Sequence, residues 1–465
     1  MPWCLTEEGR IVATPAEVLS EFTDQLTYGR IPSEVVRNAK LRILDILGIC
    51  LASSTQDFAK GVADAVAQWG GTPESTVIGF GMRLPAPNAV LANGVLAHGL
   101  DFDDTHAESV THASAAVVPT ALAVGEARGA SGQAVLTAAV AGWEAVTRIG
   151  MAAPGRFHAR GFHATSVCGT FAAALVAGKL YGLNPTQMVS ALGVCGSQAS
   201  GIFEFLADGS WVKRFHPGWS GHAGVVAAAF SQRGLTGPGT VFEGRFGLYR
   251  TFLGDEPVQL DRLTAGLGTT WETLRITFKP YPCCHLTHAF IDCVLALRQA
   301  HTIRPEDIEA VECRIAAAEV PIVCEPSVAK VRPRTSYDGQ FSLPFVVAVA
   351  LMDGEVGLDS FADARIRDAK TLALANRVRY TIDPASTYPR AFPGALTIRF
   401  RDGRELSHVA AHSRGSLELP LSDEEIVAKF RSNAGRALSP AQVDRLASAV
   451  LALEACPDVR AVMAP

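Results

Sequence analysis

The chain has 465 residues, a length that suits two or three domains better than one core. Hydrophobic residues make up 48% and charged residues 19%, a globular balance that excludes a disordered chain. The net charge is −5 and no run of Lys and Arg could track phosphates, so nucleic acid is not an expected partner.

Stretch 1–14 has no basic region leading into an apolar one, and so does not read as a signal peptide. Thr14-Pro15-Ala16-Glu17 then gives a helix start, with a capping residue, Pro in the first turn and Glu three residues after the cap. Val18, Leu19, Phe22 and Leu26 share one face of that helix. Ser33 opens a second helix, apolar over 41–51. Helical stretches follow at 88–100, 115–127, 132–149, 167–180 and 218–233, with Gly182 and Asn184-Pro185 ending one helix and starting the next. Small residues recur in these stretches, as in "VVAAAF" at 225–230, and predict closely packed helices. No apolar window reaches the roughly 20 residues of a spanning helix, so no membrane is expected. The ten scattered cysteines suit reduced thiols and a cytoplasmic location.

The texture changes near residue 272. Stretch 311–315 alternates, as does 377–382, and both read as strands. Alternating runs at 396–400 and 405–409 flank Asp402-Gly403, a strong hairpin signal. Helical pattern returns over 423–453, with Ser422 as cap. The expected fold is mainly α with an α+β second domain. Residues 1–270 and 411–465 would form a large helical domain from both chain ends, and 271–410 a smaller α+β lid, with a ligand cleft between them.

No glycine-rich phosphate loop is present. Gly218-Trp219-Ser220-Gly221-His222 lacks the final glycine of a nucleophile elbow. Cys283-Cys284-His285 with His288 lacks a second ligand pair at finger spacing, and adjacent cysteines share one ion poorly, so no metal is expected. Four polar stretches remain. They are His98-Gly99-Leu100-Asp101-Phe102-Asp103-Asp104-Thr105-His106 running on to Thr111-His112, then Gly161-Phe162-His163, then Trp211-Val212-Lys213-Arg214-Phe215-His216, then Phe278-Lys279 on to His288. They hold seven of the twelve histidines, and that clustering marks a candidate site. Singly, each has a structural reading: one of the three aspartates as a helix cap, His112 or His163 as a satisfied core histidine, Lys213 and Arg214 as a solvated face.

At these stretches the chain resembles the MmgE/PrpD family, which includes 2-methylcitrate dehydratase, cis-aconitate decarboxylase and iminodisuccinate epimerase. The matching text is "AHGLDFDDTH…THAS", "GFHATSVCGTFAAA", "WVKRFHPGWSGHAGVVAAAFSQRGLTGP", "FKPYPCCHLTH" and "FSLPFVVAVALMDGEV". The resemblance runs from about 15 to 455. It implies a helical domain built from both chain ends, an α+β lid, a homodimer, and neither metal nor organic cofactor. It carries catalytic roles to Asp101, His112, His163, Lys213 and Lys279. Thr105, Arg214, Cys284 and His285, in the same stretches, are assigned to substrate binding. The chain departs from the decarboxylases just after Lys279, where they carry a histidine and this chain has Cys284, with His285 one step on. It also lacks the dehydratase's extended loop after the Asp motif.

The substrate implied is a small di- or tricarboxylate. Lysines from two domains would hold its carboxylates, and fixed cations would stabilise charge growing on carboxyl oxygens. Imidazoles would carry protons near neutral pH. The same set could serve dehydration, decarboxylation or epimerisation. The expectation is a cofactor-independent lyase, with dehydration of a hydroxy-polycarboxylate placed first. An epimerase of an amino- or imino-dicarboxylate comes second, and a non-catalytic carboxylate-binding protein third.

Overall fold

The computed structural model describes residues 13–463; the remainder of the expected helical domain, with the 1–12 stretch and Cys4, lies outside the described residues. The first helix, α1 (Pro15–Gln25), starts as its sequence dictates. The Thr14 side chain accepts from the Glu17 N–H, and the Glu17 carboxylate accepts from the Thr14 N–H. Next come α2 (Ser33–Ser54) and α3 (Asp57–Ala67). A small hairpin, β1 (Ser75–Val77) with β2 (Met82–Leu84), leads into α4 (Ala86–His98). Then follow α5 (Ser114–Arg128), α6 (Gly132–Met151), α7 (Ala164–Tyr181), α8 (Pro185–Cys195) and α9 (Val212–Gln232).

Two of these depart from the sequence reading. Helix α9 begins at Val212, six residues before the predicted start, and takes in Lys213, Arg214 and Pro217. Pro217 has no N–H for the carbonyl four residues back, a local cost to the helix at this point. Tertiary packing overrides that loss, because α9 lies against α4 and α7 along its length. Helix α7 is long and apolar enough to pass for a membrane span by length and composition, yet 83% of it is buried inside the protein.

Small residues set the distance between these helices. A Cβ added to Gly94 of α4 would lie 2.5 Å from the Cα of Gly218 in α9, and one added to Gly218 would lie 2.3 Å from the carbonyl oxygen of Leu91. Backbone therefore meets backbone where α4 crosses α9. The contact has a functional consequence, since His98 ends α4 and Lys213 opens α9.

A two-residue bridge, β3 (Thr105–His106) with β4 (Ile276–Thr277), joins the helical domain to the α+β domain. The latter holds α10 (His288–Ala300) and α11 (Leu343–Asp353), packed on each other. Its sheet has the order β6-β5-β7-β8, with β5 (Ile308–Ile315), β6 (Val378–Ile382), β7 (Gly394–Phe400) and β8 (Glu405–Ala410). The Asp402-Gly403 hairpin forms as predicted, with Arg399 opposite Glu405 and Gly403 at φ 85°. The chain then returns to the helical domain through α12 (Asp423–Ala434) and α13 (Pro440–Leu451). These two make up the helical stretch expected over 423–453. Ser439 and Pro440 start a new helix with their own capping box.

Buried apolar residues form two main clusters. The larger draws on 16–276 and 430–463, and the smaller on 281–400 with Val110. The protein is thus mainly α, with a large helical domain built from both chain ends and a smaller α+β domain. The nine cysteines among the described residues are unpaired.

Replacing Gly218 by Ala should force α9 away from α4. Overpacking of this kind costs about 1–3 kcal/mol. Thermal denaturation should show that loss, and turnover should fall with it because Lys213 moves relative to His98. A Gly218→Ala variant as stable as the parent would show that the helices do not meet backbone to backbone.

Candidate active site

The chain turns sharply after α4. Asp101 has φ 49°, in the left-handed region that a non-glycine residue adopts only when its surroundings hold it there. What holds it is charge. Lys213 Nζ donates to Asp101 Oδ1. Lys279 Nζ donates to Asp101 Oδ2 at 2.9 Å and to the Asp101 carbonyl at 2.8 Å. Lys213 comes from the first turn of α9, and Lys279 follows β4 in the irregular segment that leads into the α+β domain. All three side chains are buried. Burial alone would raise the Asp101 carboxyl, but the two ammonium groups overcome it and hold the group well below the usual carboxylate range. Lys279 is raised in turn: burial lowers it, and Asp101 and Asp103 more than offset that.

The next two aspartates have different partners. Asp103 hydrogen-bonds with His98 Nδ1 at 2.8 Å and stands 3.5 Å from His112 Nδ1. Asp104 pairs with Arg42 of α2 at 2.8 Å and accepts from the Ser114 N–H at 3.0 Å, at the first turn of α5. One of the three is therefore a helix-terminus carboxylate, as the structural reading expected. Arg42 also donates to the Ile276 carbonyl and lies over the Phe278 ring, which ties α2 to the segment carrying Lys279.

Three histidine rings meet beside Asp101. His98 and His112 have centroids 4.6 Å apart, and His163 lies 5.7 Å from the first and 6.1 Å from the second. His112 hydrogen-bonds through Nδ1 with the Asp104 carbonyl at 3.0 Å, and its N–H donates to Thr165 Oγ1 at 2.9 Å. His163 caps the N-terminus of α7, and its Nδ1 meets His216 Nδ1 at 3.0 Å. Gly161, at φ 81°, lets the chain turn into this cap. Burial holds His98, His112 and His163 well below the ordinary imidazole value, and Lys213 adds to that for all three. Burial and Lys213 bring His158 to about 3 and His216 to about 4. The imidazoles of the free site are neutral at pH 7.

A cavity of about 60 Å³ lies against this cluster. The helical domain lines it with Asp101, Thr105, His112, His163 and Lys213. The α+β domain closes it with Cys284, His285, Phe341, Tyr388 and Phe392. Small-molecule sites run to roughly 300–1,000 Å³, so this cavity is smaller than such sites usually are. Burial pushes the Cys284 thiol up to about 11, with Asp101 adding, so it is no thiolate at neutral pH. His285 hydrogen-bonds with Ser413 at 2.8 Å and is brought to about 3, by burial first and Lys279 second.

The geometry thus gathers seven of the nine sequence-assigned residues onto one cavity wall. Lys279 is not on the wall: it is fully buried behind Asp101. Arg214 is not there either. Its guanidinium is stacked among Phe58, Trp211 and Tyr337, with ring centroids 4.4, 5.2 and 4.4 Å away. His98, Asp103, His158 and His216 join the cluster without having been singled out. His98, Asp103 and His216 sit within the quoted motifs, so the signal for them was present. His158 falls outside those motifs. The sequence reading expected no metal, having set aside the ligand spacing around Cys283 and His288. Among the described residues, the group close enough to share an ion is instead His98, His112 and His163.

Comparison with known proteins gives matches along nearly the whole chain. Family models for the MmgE/PrpD N-terminal domain and the MmgE/PrpD C-terminal domain match residues 17–261 and 281–455. The chain is 26% identical over 483 residues to the cis-aconitate decarboxylase-like protein oryM of Aspergillus oryzae, covering 99% of this chain and 98% of that protein. It is 26% identical to a cis-aconitate decarboxylase of Aspergillus terreus, over 95% of this chain and 93% of the relative. It is 28% identical to the cis-aconitate decarboxylase of Mus musculus, over 92% and 88%.

Asp101→Asn should leave two buried ammonium groups without their anion. Removing one partner of a buried ion pair costs about 3–5 kcal/mol. The sign with pH follows from the depressed Asp101 value. Its stabilisation is complete above the ordinary aspartate range near 3.9 and is lost only as pH falls through the lower folded value. Denaturant unfolding of both proteins should therefore show a gap that is undiminished as pH falls from about 7 to about 5 and closes only in strong acid. A gap that closed between about pH 7 and pH 5 would contradict the assignment of charge.

Proposed function

This chain belongs to the MmgE/PrpD family, and on that premise we propose that it is a lyase that removes carbon dioxide from a small unsaturated tricarboxylate of the cis-aconitate type. The observation that carries the reading is the placement of two imidazoles, His112 and His163, beside Lys213 and Asp101 on one cavity. The names of the relatives move decarboxylation ahead of the dehydration that the sequence put first. The substitution at Cys284 is compatible, because His285 lines the same cavity one residue on.

The chemistry follows from where charge must go. The bond to the departing carboxylate breaks, and its electron pair forms a new carbon–carbon double bond. The pair of the old double bond moves to the far carbon, which takes a proton. Carbon dioxide leaves and a dicarboxylate alkene remains, so the reaction consumes one proton. During the step negative charge spreads onto the carboxylate next to the carbon being protonated. Lys213, at the cavity wall and shielded from bulk water, is the group suited to stabilise that charge. Lys279 acts from behind by holding Asp101 in place. His163 or His112 supplies the proton once the anionic substrate has raised its affinity for one.

Incubation of the purified protein with cis-aconitate in D₂O tests the reading. Release of carbon dioxide with one deuteron bound to carbon in the product supports it. Hydration or dehydration without carbon dioxide would mean the dehydratase reading, and deuterium wash-in without either would mean the epimerase. The variant His163→Asn should lower kcat by about 10²-fold or more, the usual scale for a lost acid–base group, with KM nearly unchanged. Normal turnover by that variant would remove His163 from the chemistry.

A further inference from the structure

His98, His112 and His163 come from three segments: the end of α4, the approach to α5 and the cap of α7. Their centroids lie 4.6, 5.7 and 6.1 Å apart. Three imidazoles bound to one tetrahedral ion at ordinary metal–nitrogen distances have centroids roughly 5 Å apart. One donor atom from each ring lies within 4.8 Å of the others.

The other nitrogen of each ring is already engaged. His98 Nδ1 meets the Asp103 carboxylate, His112 Nδ1 the Asp104 carbonyl, and His163 Nδ1 the ring of His216. Anchoring by a carboxylate or carbonyl fixes tautomer and orientation, and is what holds ligating histidines in metal sites. It leaves the three Nε2 atoms outside those anchoring bonds. His98 Nε2 is fully buried and has no hydrogen-bond partner among the described residues. An orphaned nitrogen on a buried ring packed beside two other imidazoles is a polar group in need of a ligand. The rings are neutral, the form that binds a metal. Lys213 and Lys279 oppose a dication, and Asp101 and Asp103 offset them charge for charge. His112 and His163 also line the cavity, which leaves a fourth position open for water or an anion.

We propose that His98, His112 and His163 form a three-imidazole site for a late first-row divalent cation such as Zn²⁺ or Co²⁺, and that an ion bound there blocks turnover. Neutral imidazole suits these ions better than it suits Mg²⁺ or Ca²⁺. The block follows because the ion takes the nitrogens that proton transfer needs. That half rests on the function proposed above, and the binding does not.

The test is a titration of chelator-treated, dialysed full-length protein with Co²⁺. A single equivalent should give the visible ligand-field bands of four-coordinate cobalt, and Zn²⁺ should displace them. His98→Gln should lose the bands, and His163→Gln should lose them too, which covers the case in which the first variant fails to fold. His412→Gln, just beyond β8 and outside the three-ring group, should keep them. Absence of the bands, or their persistence in a folded His98→Gln, would overturn the site. A near-ultraviolet thiolate-to-cobalt band would overturn it as well, by putting the ion on Cys283 or Cys284. Zn²⁺ should also abolish turnover, with EDTA restoring it. An ion bound at the rings with turnover intact would refute the block, and with it the proton-carrying role of His112 and His163.

Discussion

Asp101 carries a buried negative charge, and two ammonium groups from distant parts of the chain neutralise it. Much of the site depends on that arrangement. It holds residue 101 in a backbone conformation that carries a cost of order 1–3 kcal/mol. It brings the start of α9 against the end of α4, and it ties the first residues beyond β4 to the helical domain. A cation in the first turn of a helix also works against the helix dipole, so Lys213 needs a nearby anion to stay there. The close approach of Gly94 and Gly218 supplies the matching steric constraint, since helices carrying larger residues at these positions could not bring Lys213 within reach of Asp101.

The lysines also set the state of the histidines. Positive charge and burial act in the same direction on an imidazole, and both keep His98, His112 and His163 uncharged. Such a site is poised for an anion. A tricarboxylate entering the cavity would reverse the local field and raise the proton affinity of the rings it touches. An acid would then be present only when there is a substrate to protonate, which suits a reaction that consumes a proton. The Asp103 contacts orient His98 and His112, and Asp104 with Arg42 fixes the loop between them to α2 and α5.

Local signals were readable and distant ones were not. The Thr14 capping box and the Asp402-Gly403 hairpin need only neighbours in sequence, and both form where expected. The motif histidines and lysines could be marked as a site because they cluster in four short stretches. The partners of the three neighbouring aspartates could not be read. Asp101, Asp103 and Asp104 are alike as text, and only the fold assigns one to lysines, one to histidines and one to an arginine and a helix end. His158 and His216 stand beside His163 through contacts between elements far apart in the chain. Arg214 illustrates the same limit: it is neither a solvated charge nor part of the site cavity, but is stacked among rings from three segments. The early start of α9 takes in Pro217, whose local cost is outweighed by packing.

The central claim is that neutral, buried imidazoles gain a proton when an anionic substrate arrives. Calorimetry of a non-reacting saturated tricarboxylate binding at pH 7, repeated in buffers of different ionisation enthalpy, measures that directly. The account predicts a net uptake of protons from the buffer, reduced in His163→Asn. Binding with no uptake, or with protons released, would contradict it.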